Sequence, residues 1–354
     1  MPIRVPTEAR REEVFPAELA GTIEFHRFES QVLRDNPWGD PAVRTVTVYR
    51  PPSGRTEGAP LLLLLSGFTG AGWEHAHRPA YLRSTRIRRL DALIRTKRVP
   101  EAVLVAPDCL TSLGGSQYLN SSATGRYEDH VVDEVLPWAQ DRYGTGATAA
   151  LGTSSGGYGS LVLAMRHPDR IRAAASNAGD AGFEYCYLPE FPTAVRTLRA
   201  AGGPEAHLRR MLSAPTSRFG PANRDVQALE LMAYASCYSP DESVPGTFDL
   251  PFDLETGELR SEVWERWLAW DPVRMAGTDR YRDALGRLAY LYVDGGTEDE
   301  YGLDLGARMF AAAARRGGIA VDHEEFVGGH ADAVPRYDVM IPRLLRAIAP
   351  DGGR

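Results

Sequence analysis

Apolar and polar positions alternate in two registers along this chain. Thr45-Val46-Thr47-Val48-Tyr49 has the period of two expected of a half-buried strand, and Pro51-Pro52-Ser53-Gly54 ends it. Leu61–Leu65 and Ala102–Ala106 are instead unbroken apolar runs, the pattern of strands covered on both faces in a parallel sheet. Between them, Ile87, Leu90 and Ile94 recur at spacings of three and four, predicting an amphipathic helix over 83–95. Further helices are predicted over 127–143, 155–166 and 305–315, and strands over 147–151, 171–176, 288–293 and 319–326. Strand–helix alternation of this kind predicts a mainly parallel sheet with helices on both faces. The strands upstream of residue 55 have no intervening helix and should pair antiparallel.

The alternation fails between about 181 and 287. That stretch carries Phe183, Tyr185, Tyr187, Phe191, Phe219, Tyr234, Tyr238, Phe248 and Phe252 among repeated prolines, and a helix is predicted over 261–270. The expected organisation is a catalytic domain over 20–180 and 285–350, an aromatic-rich lid inserted over 181–284, and an N-terminal extension over 1–19. Aromatic stripes mostly pack, so the rings can simply cement the lid to the core. The functional alternative is that Trp264 and Trp267 line an acyl or aromatic-substrate pocket.

Composition narrows the class. The chain has 354 residues, 43% of them hydrophobic, which excludes wholesale disorder and permits a large core. Apolar runs, the five leucines at 61–65 included, do not exceed six residues, far short of the ~18 residues of a membrane span. Arg4, Arg10, Arg11, Glu12 and Glu13 interrupt any signal-like apolar segment, so a cytoplasmic protein is expected. Cys109, Cys186 and Cys237 form no CxxC pair or disulfide framework. A net charge of −7 disfavours a nucleic-acid partner. Lys97 is the one lysine against 39 arginines, from which no function follows. A homo-oligomer is compatible with the sequence and not required by it.

Gly152-Thr153-Ser154-Ser155-Gly156 matches G-x-S-x-G, follows a predicted strand and precedes a predicted helix. A nucleophilic serine must project from a sharp turn, and glycines two residues to either side let neighbouring backbone approach. Serine needs a base. Of eight histidines, His330 follows Gly328-Gly329 just after the last predicted strand, where a loop can aim an imidazole across the sheet's carboxyl edge; His323 lies within that strand and reads as structural. An acid must orient the imidazole. Asp299 is favoured, deep in the loop after strand 288–293; Asp294 at the strand's end and Asp180 after strand 171–176 are alternatives. The order Ser154, Asp299, His330 is that of α/β-hydrolases. Oxyanion stabilisation should come from the backbone N–H groups of Ser155 and Phe68, the latter in Ser66-Gly67-Phe68-Thr69-Gly70. Glu74-His75-Ala76-His77 offers a metal-binding alternative without a recognisable third ligand, so no metal or cofactor is expected.

Leu65-Ser66-Gly67-Phe68-Thr69, the 152–156 elbow, the 294–299 loop and Gly329-His330 together resemble the putative-esterase family of α/β-hydrolases, which includes esterase D (S-formylglutathione hydrolase), enterochelin esterase, feruloyl esterases and the antigen 85 mycolyltransferases. The resemblance covers roughly residues 20–180 and 285–345. In esterase D-like members the acid follows a strand-terminal Asp-x-Gly-x-x sequence, which implies Asp299 here. The loop Gly115–Asn120 and Tyr127-Glu128-Asp129 are also similar to members of the group. Ser155 stands where methionine is commoner, and the 181–287 stretch is longer than in small members. The implied activity is ester hydrolysis of a small-molecule substrate through an acyl-enzyme on Ser154. An acyltransferase that passes the acyl group to an alcohol or sugar, and a non-catalytic binding protein on the same fold, are the competing readings.

Overall fold

A computed structural model describes residues 18–76, 84–213 and 224–349. Nearly all of the extension expected over 1–19 lies outside these residues. Eight strands form one sheet: β1 (Thr22–Glu29), β2 (Val43–Arg50), β3 (Leu61–Leu65), β4 (Val103–Ala106), β5 (Thr148–Ser154), β6 (Ala173–Gly179), β7 (Tyr290–Gly296) and β8 (Asp322–Phe326). Their spatial order is β1-β2-β4-β3-β5-β6-β7-β8. β2 runs antiparallel to both β1 and β4, and every other pairing is parallel. This is the mainly parallel α/β-hydrolase architecture with antiparallel strands at its start.

Residues of alternate parity separate two cores. Leu61, Leu63 and Leu65 of β3 pack with Val103, Val105 and Ala150 on one face. That face is covered by α2 (127–143) and α3 (Ser155–Arg166). Leu62 and Leu64 join Leu104, Ala149, Leu151 and Tyr292 on the other. There α1 (Arg86–Arg95) contributes Ile87, Leu90 and Ile94. The five consecutive leucines are thus buried alternately to both sides, which explains why no polar residue interrupts them. α1 starts three residues later than its apolar spacing predicts because Thr85 caps it, its side chain accepting from Arg88 N–H at 3.4 Å. α2 contains a wider π-type turn at His130–Val135, which the apolar spacing did not signal.

The 181–284 stretch is mostly helical and includes α4 (Phe191–Ala201), α5 (Pro204–Ser213), α6 (Arg224–Tyr238) and α7 (Ser261–Leu268). Its buried aromatic residues, Phe183, Tyr187, Phe191, Tyr234, Tyr238 and Phe252 among them, belong to the same continuous core as β3 and α3, not to a separate one; Tyr185 is exposed, and Phe219 lies outside the described residues. Tyr158 of α3 meets Phe183 at 6.2 Å and Tyr238 at 5.7 Å between ring centroids. After β7 comes α8 (Leu303–Arg316), and after β8 comes α9 (Tyr337–Ile348), whose Met340, Ile341, Leu344 and Leu345 close the second core. No helix among the described residues is long and apolar enough to cross a membrane.

Candidate active site

β5 runs past its predicted end to Ser154, and α3 begins at the next residue. The turn between them leaves Ser154 at φ 60°, ψ −131°, a conformation that costs a non-glycine residue about 1–3 kcal/mol. Pairing between β5 and β6 also slips there, Thr153 facing Asn177 and Ser154 facing Gly179. The flanking glycines are required by contact. A Cβ on Gly152 would stand 2.4 Å from the Gly156 carbonyl, and one on Gly156 would stand 2.1 Å from the Leu65 carbonyl oxygen. Strand β3, the elbow and the start of α3 therefore touch backbone to backbone.

His330 follows β8 and Gly329. Its Nδ1 lies 3.0 Å from Asp299 Oδ2. The other Asp299 oxygen accepts the Tyr301 N–H at 2.9 Å, and its carboxylate is wholly buried behind the imidazole. Glu300 Oε2 accepts the His330 N–H at 3.0 Å, and the Tyr301 ring meets the imidazole edge-on at 5.1 Å. With Nδ1 engaged, Nε2 is left as the free ring nitrogen. Burial on its own would lower the imidazole pKa, but the hydrogen bond and charge of Asp299 outweigh it and hold the pKa above the usual histidine value.

Ser154 and His330 both line one cavity of about 780 Å³, a size suited to a small-molecule ligand. Phe68 lines it too. In the loop after β3, the Thr69 N–H is taken by Gly114 O at 2.8 Å and the Gly70 N–H by Gly67 O at 3.0 Å. The Phe68 N–H has no acceptor among the described residues. Ser155 opens α3, so its N–H has no carbonyl four residues back to satisfy it.

The other candidates fall elsewhere. Asp294 is buried outside the cavity lining, where its carboxylate takes Asn177 Nδ2 at 2.6 Å, Tyr292 OH at 2.8 Å and Arg336 Nε at 2.8 Å. Asp180 does line the cavity, but it accepts from Gln117 Nε2 at 3.0 Å, Tyr187 OH at 2.9 Å and Ser155 Oγ at 3.4 Å, not from His330. His75 is buried with Nε2 3.0 Å from Ser66 Oγ, and burial drives its pKa well below the usual value, so it braces the loop after β3 as a neutral ring. His77 lies outside the described residues.

The pocket expected at Trp264 and Trp267 needs correction. Trp264 and Trp267 are 5% and 0% exposed and neither lines the cavity. Their rings pack on Phe191 at 5.5 and 5.9 Å, and the Trp267 indole N–H donates to Ser239 Oγ at 2.9 Å. Helix periodicity marks a buried face without saying what it is buried against; here it is α4 and the end of α6. The insertion's contribution to the cavity comes instead from Tyr187 and Tyr234 of its aromatic set and from Glu190 and Glu230, which the sequence did not single out. Glu230 and Tyr234 sit one helical turn apart on α6, a spacing too common to have marked them.

The family described as "Putative esterase" matches residues 41–338. The chain belongs to this esterase family. Solved structures similar to this esterase fold include a ferulic acid esterase (19% identity, TM-score 0.57, covering 93% of this chain and 99% of that one). An S-formylglutathione hydrolase from Agrobacterium tumefaciens aligns at 15% identity with a TM-score of 0.54 over 94% of this chain and 97% of that one. Mycobacterium tuberculosis MPT51 aligns at 19% identity with a TM-score of 0.52 over 92% and 99%. At these identities the likeness establishes the fold. No curated protein matches the chain.

Proposed function

We propose that this esterase-family protein is a serine carboxylic ester hydrolase with Ser154 as nucleophile, His330 as general base and acid, and Asp299 as the group that orients and charges the imidazole. The observation that carries the reading is the meeting, in one cavity, of a serine on a strained strand-to-helix turn with an imidazole whose far nitrogen is held 3.0 Å from a buried carboxylate. In the first half-reaction His330 Nε2 takes the Ser154 proton as Oγ attacks the ester carbonyl. The tetrahedral oxygen is met by the N–H groups of Phe68 and Ser155, then the acyl–oxygen bond breaks and His330 returns the proton to the departing alcohol. In the second half, water replaces the alcohol, giving its proton to His330 and its oxygen to the acyl carbon, and Ser154 leaves reprotonated. Asp299 stays ionised throughout and stabilises the imidazolium.

Intact-mass analysis after treatment with a fluorophosphonate tests the reading. A single adduct should form on the wild type and none on Ser154→Ala, whose turnover of p-nitrophenyl esters should fall by several orders of magnitude. An adduct that persists in Ser154→Ala, or a variant with near-normal turnover, would falsify the assignment. Product analysis with added alcohols then separates hydrolysis from acyl transfer.

A further inference from the structure

The catalytic cavity is unevenly charged. Among the described residues, Glu74, Asp180, Glu190 and Glu230 line it, against Arg86 and the proposed base His330. Arg86 belongs to the α1 side, where its guanidinium stacks 5.5 Å above the Tyr337 ring and acts on His75. Glu190 and Glu230 belong to the insertion side, facing Tyr301 and, beyond it, His330. Neither forms an ion pair among the described residues, although the His330 imidazole acts on Glu230 from across the cavity. Glu230 Oε1 accepts the Tyr234 hydroxyl at 2.6 Å, and Tyr234 in turn interacts with the Ser155 side chain, so this carboxylate reaches the nucleophile turn through the Tyr234 phenol. Asp180 lies on the same side, behind Ser155. Burial pushes the Glu230 carboxyl up to about 7 and raises that of Glu190, as happens to carboxylates recessed without a counter-ion.

Aromatic faces surround these acids. Phe68 meets Tyr234 at 6.0 Å, and Tyr234 meets Tyr187 at 4.6 Å between centroids. All three line the cavity beside Tyr301. Electron-rich rings with carboxylates behind them are the chemistry that binds an alkylated ammonium, through ring quadrupole and net charge together. A neutral aliphatic or aromatic group would fill the same volume and leave the acids unpaired. An anionic group would be repelled.

From this juxtaposition of Glu190 and Glu230 with the Phe68, Tyr187, Tyr234 and Tyr301 rings beside Ser154, we infer that the preferred substrate is an ester bearing a positively charged ammonium group on its acyl or its alcohol half. The inference rests on the serine hydrolase reading and adds the substrate class to it. The two carboxylates supply the counter-charge, the rings enclose the alkyl groups, and the ester carbonyl is left at Ser154.

Two matched pairs of substrates test it. One pair is a thiocholine ester and the thioester of the same acid in which carbon replaces the nitrogen. The other is the p-nitrophenyl ester of a trimethylammonio-alkanoic acid and its tert-butyl-capped counterpart. In one pair at least, kcat/KM should favour the cation by tenfold or more, a preference equal to about 1.4 kcal/mol. Glu230→Gln and the double variant Glu190→Gln/Glu230→Gln should bring that ratio down towards one. The ratio is internal to each variant, so partial misfolding does not move it. A wild-type ratio near or below one in both pairs overturns the inference, as does a high ratio that both variants retain; either result leaves the hydrolase reading standing if the neutral esters are cleaved. If no ester is cleaved and fluorophosphonate fails to label Ser154, the hydrolase reading falls, and calorimetry with benzyltrimethylammonium still decides the cation site. Millimolar or tighter binding lost in the double variant supports it, and no binding, or binding that the double variant keeps, overturns it.

Discussion

Gly156→Ala is the most informative single-atom perturbation, because one added methyl separates the catalytic turn from the strand that carries the loop after β3. The new Cβ would lie 2.1 Å from Leu65 O, 2.7 Å from Leu65 C and 2.9 Å from Ser66 O. All three are backbone atoms, so no side chain can rotate away. Since Cβ atoms keep at least 3.0 Å from such neighbours, the two chains must part by roughly 0.9 Å. Overpacking of this kind costs about 1–3 kcal/mol. At roughly 2 °C per kcal/mol for a large domain, Tm should fall by about 2–6 °C. The catalytic effect is larger, since Leu65 is followed by Ser66, Gly67 and Phe68, so the shift moves the proposed oxyanion donor away from Ser154. A misplacement near 1 Å costs on the order of 10²-fold in rate. Calorimetry gives Tm, and p-nitrophenyl ester turnover normalised to fluorophosphonate-titrated sites gives kcat. Gly286→Ala is the control. It ends the helix Asp279–Gly286, its Cβ would find only Ile319 Cδ1 at 3.6 Å, and it should be neutral or stabilising by up to ~1 kcal/mol. If Gly156→Ala kept the wild-type Tm and kcat within about threefold, close backbone contact at the elbow would have no bearing on the chemistry.

Asp299→Asn should lower kcat by about 10⁴-fold through the wrong imidazole tautomer, with fluorophosphonate labelling slowed in parallel. The free enzyme needs neutral His330, whose pKa is raised, so kcat/KM should climb with pH along a limb centred above 6.5, and Asp299→Asn should move that limb to lower pH; a limb that stays put in the variant would remove Asp299 from the proposed role. Asp294→Asn should instead act on stability, since it takes from Arg336 its buried carboxylate and leaves it only the more exposed Glu324, a loss smaller than the about 3–5 kcal/mol of a buried charge left wholly unpaired; urea unfolding measures it, and the folded fraction should keep its turnover per labelled site. Trp267→Ala should cost about 3–5 kcal/mol and leave acyl-chain preference unchanged across a p-nitrophenyl ester series, because the indole lies outside the cavity lining; a shifted chain-length optimum would contradict that placement.

The parts of the fold legible in the sequence are those where local pattern and tertiary environment demand the same residues. Leu61–Leu65 had to be apolar at every position because neighbours cover both faces, and the glycines at 152 and 156 had to lack side chains because backbone fills the space. The loop holding Asp299 could be bracketed because β7 and His330 fix both of its ends, and its depth in that loop already favoured it; what the sequence could not carry is the occupation of Asp294 by Arg336 and Asn177, residues 42 and 117 positions away. Strand ends fall three residues beyond expectation where β5 and β7 continue through glycines that alternation does not count. The insertion was legible as aromatic and helical but not in its aim. Whether Trp267 or Tyr234 faces the cavity is decided by which helix lies opposite, and no periodicity within α6 or α7 carries that information.

The fusion of the insertion's rings with the sheet's own core, through Tyr158, Phe183 and Tyr238, bears on how substrate gains entry. A flap on a hinge would need its own apolar centre, so that it could swing as a rigid body without uncovering someone else's. Here such a swing would expose the side chains that hold α3 in position behind Ser154. That shared core opposes a swing of the whole insertion, so heat or urea should erase selectivity and turnover in one shared transition instead of stripping the first while sparing the second.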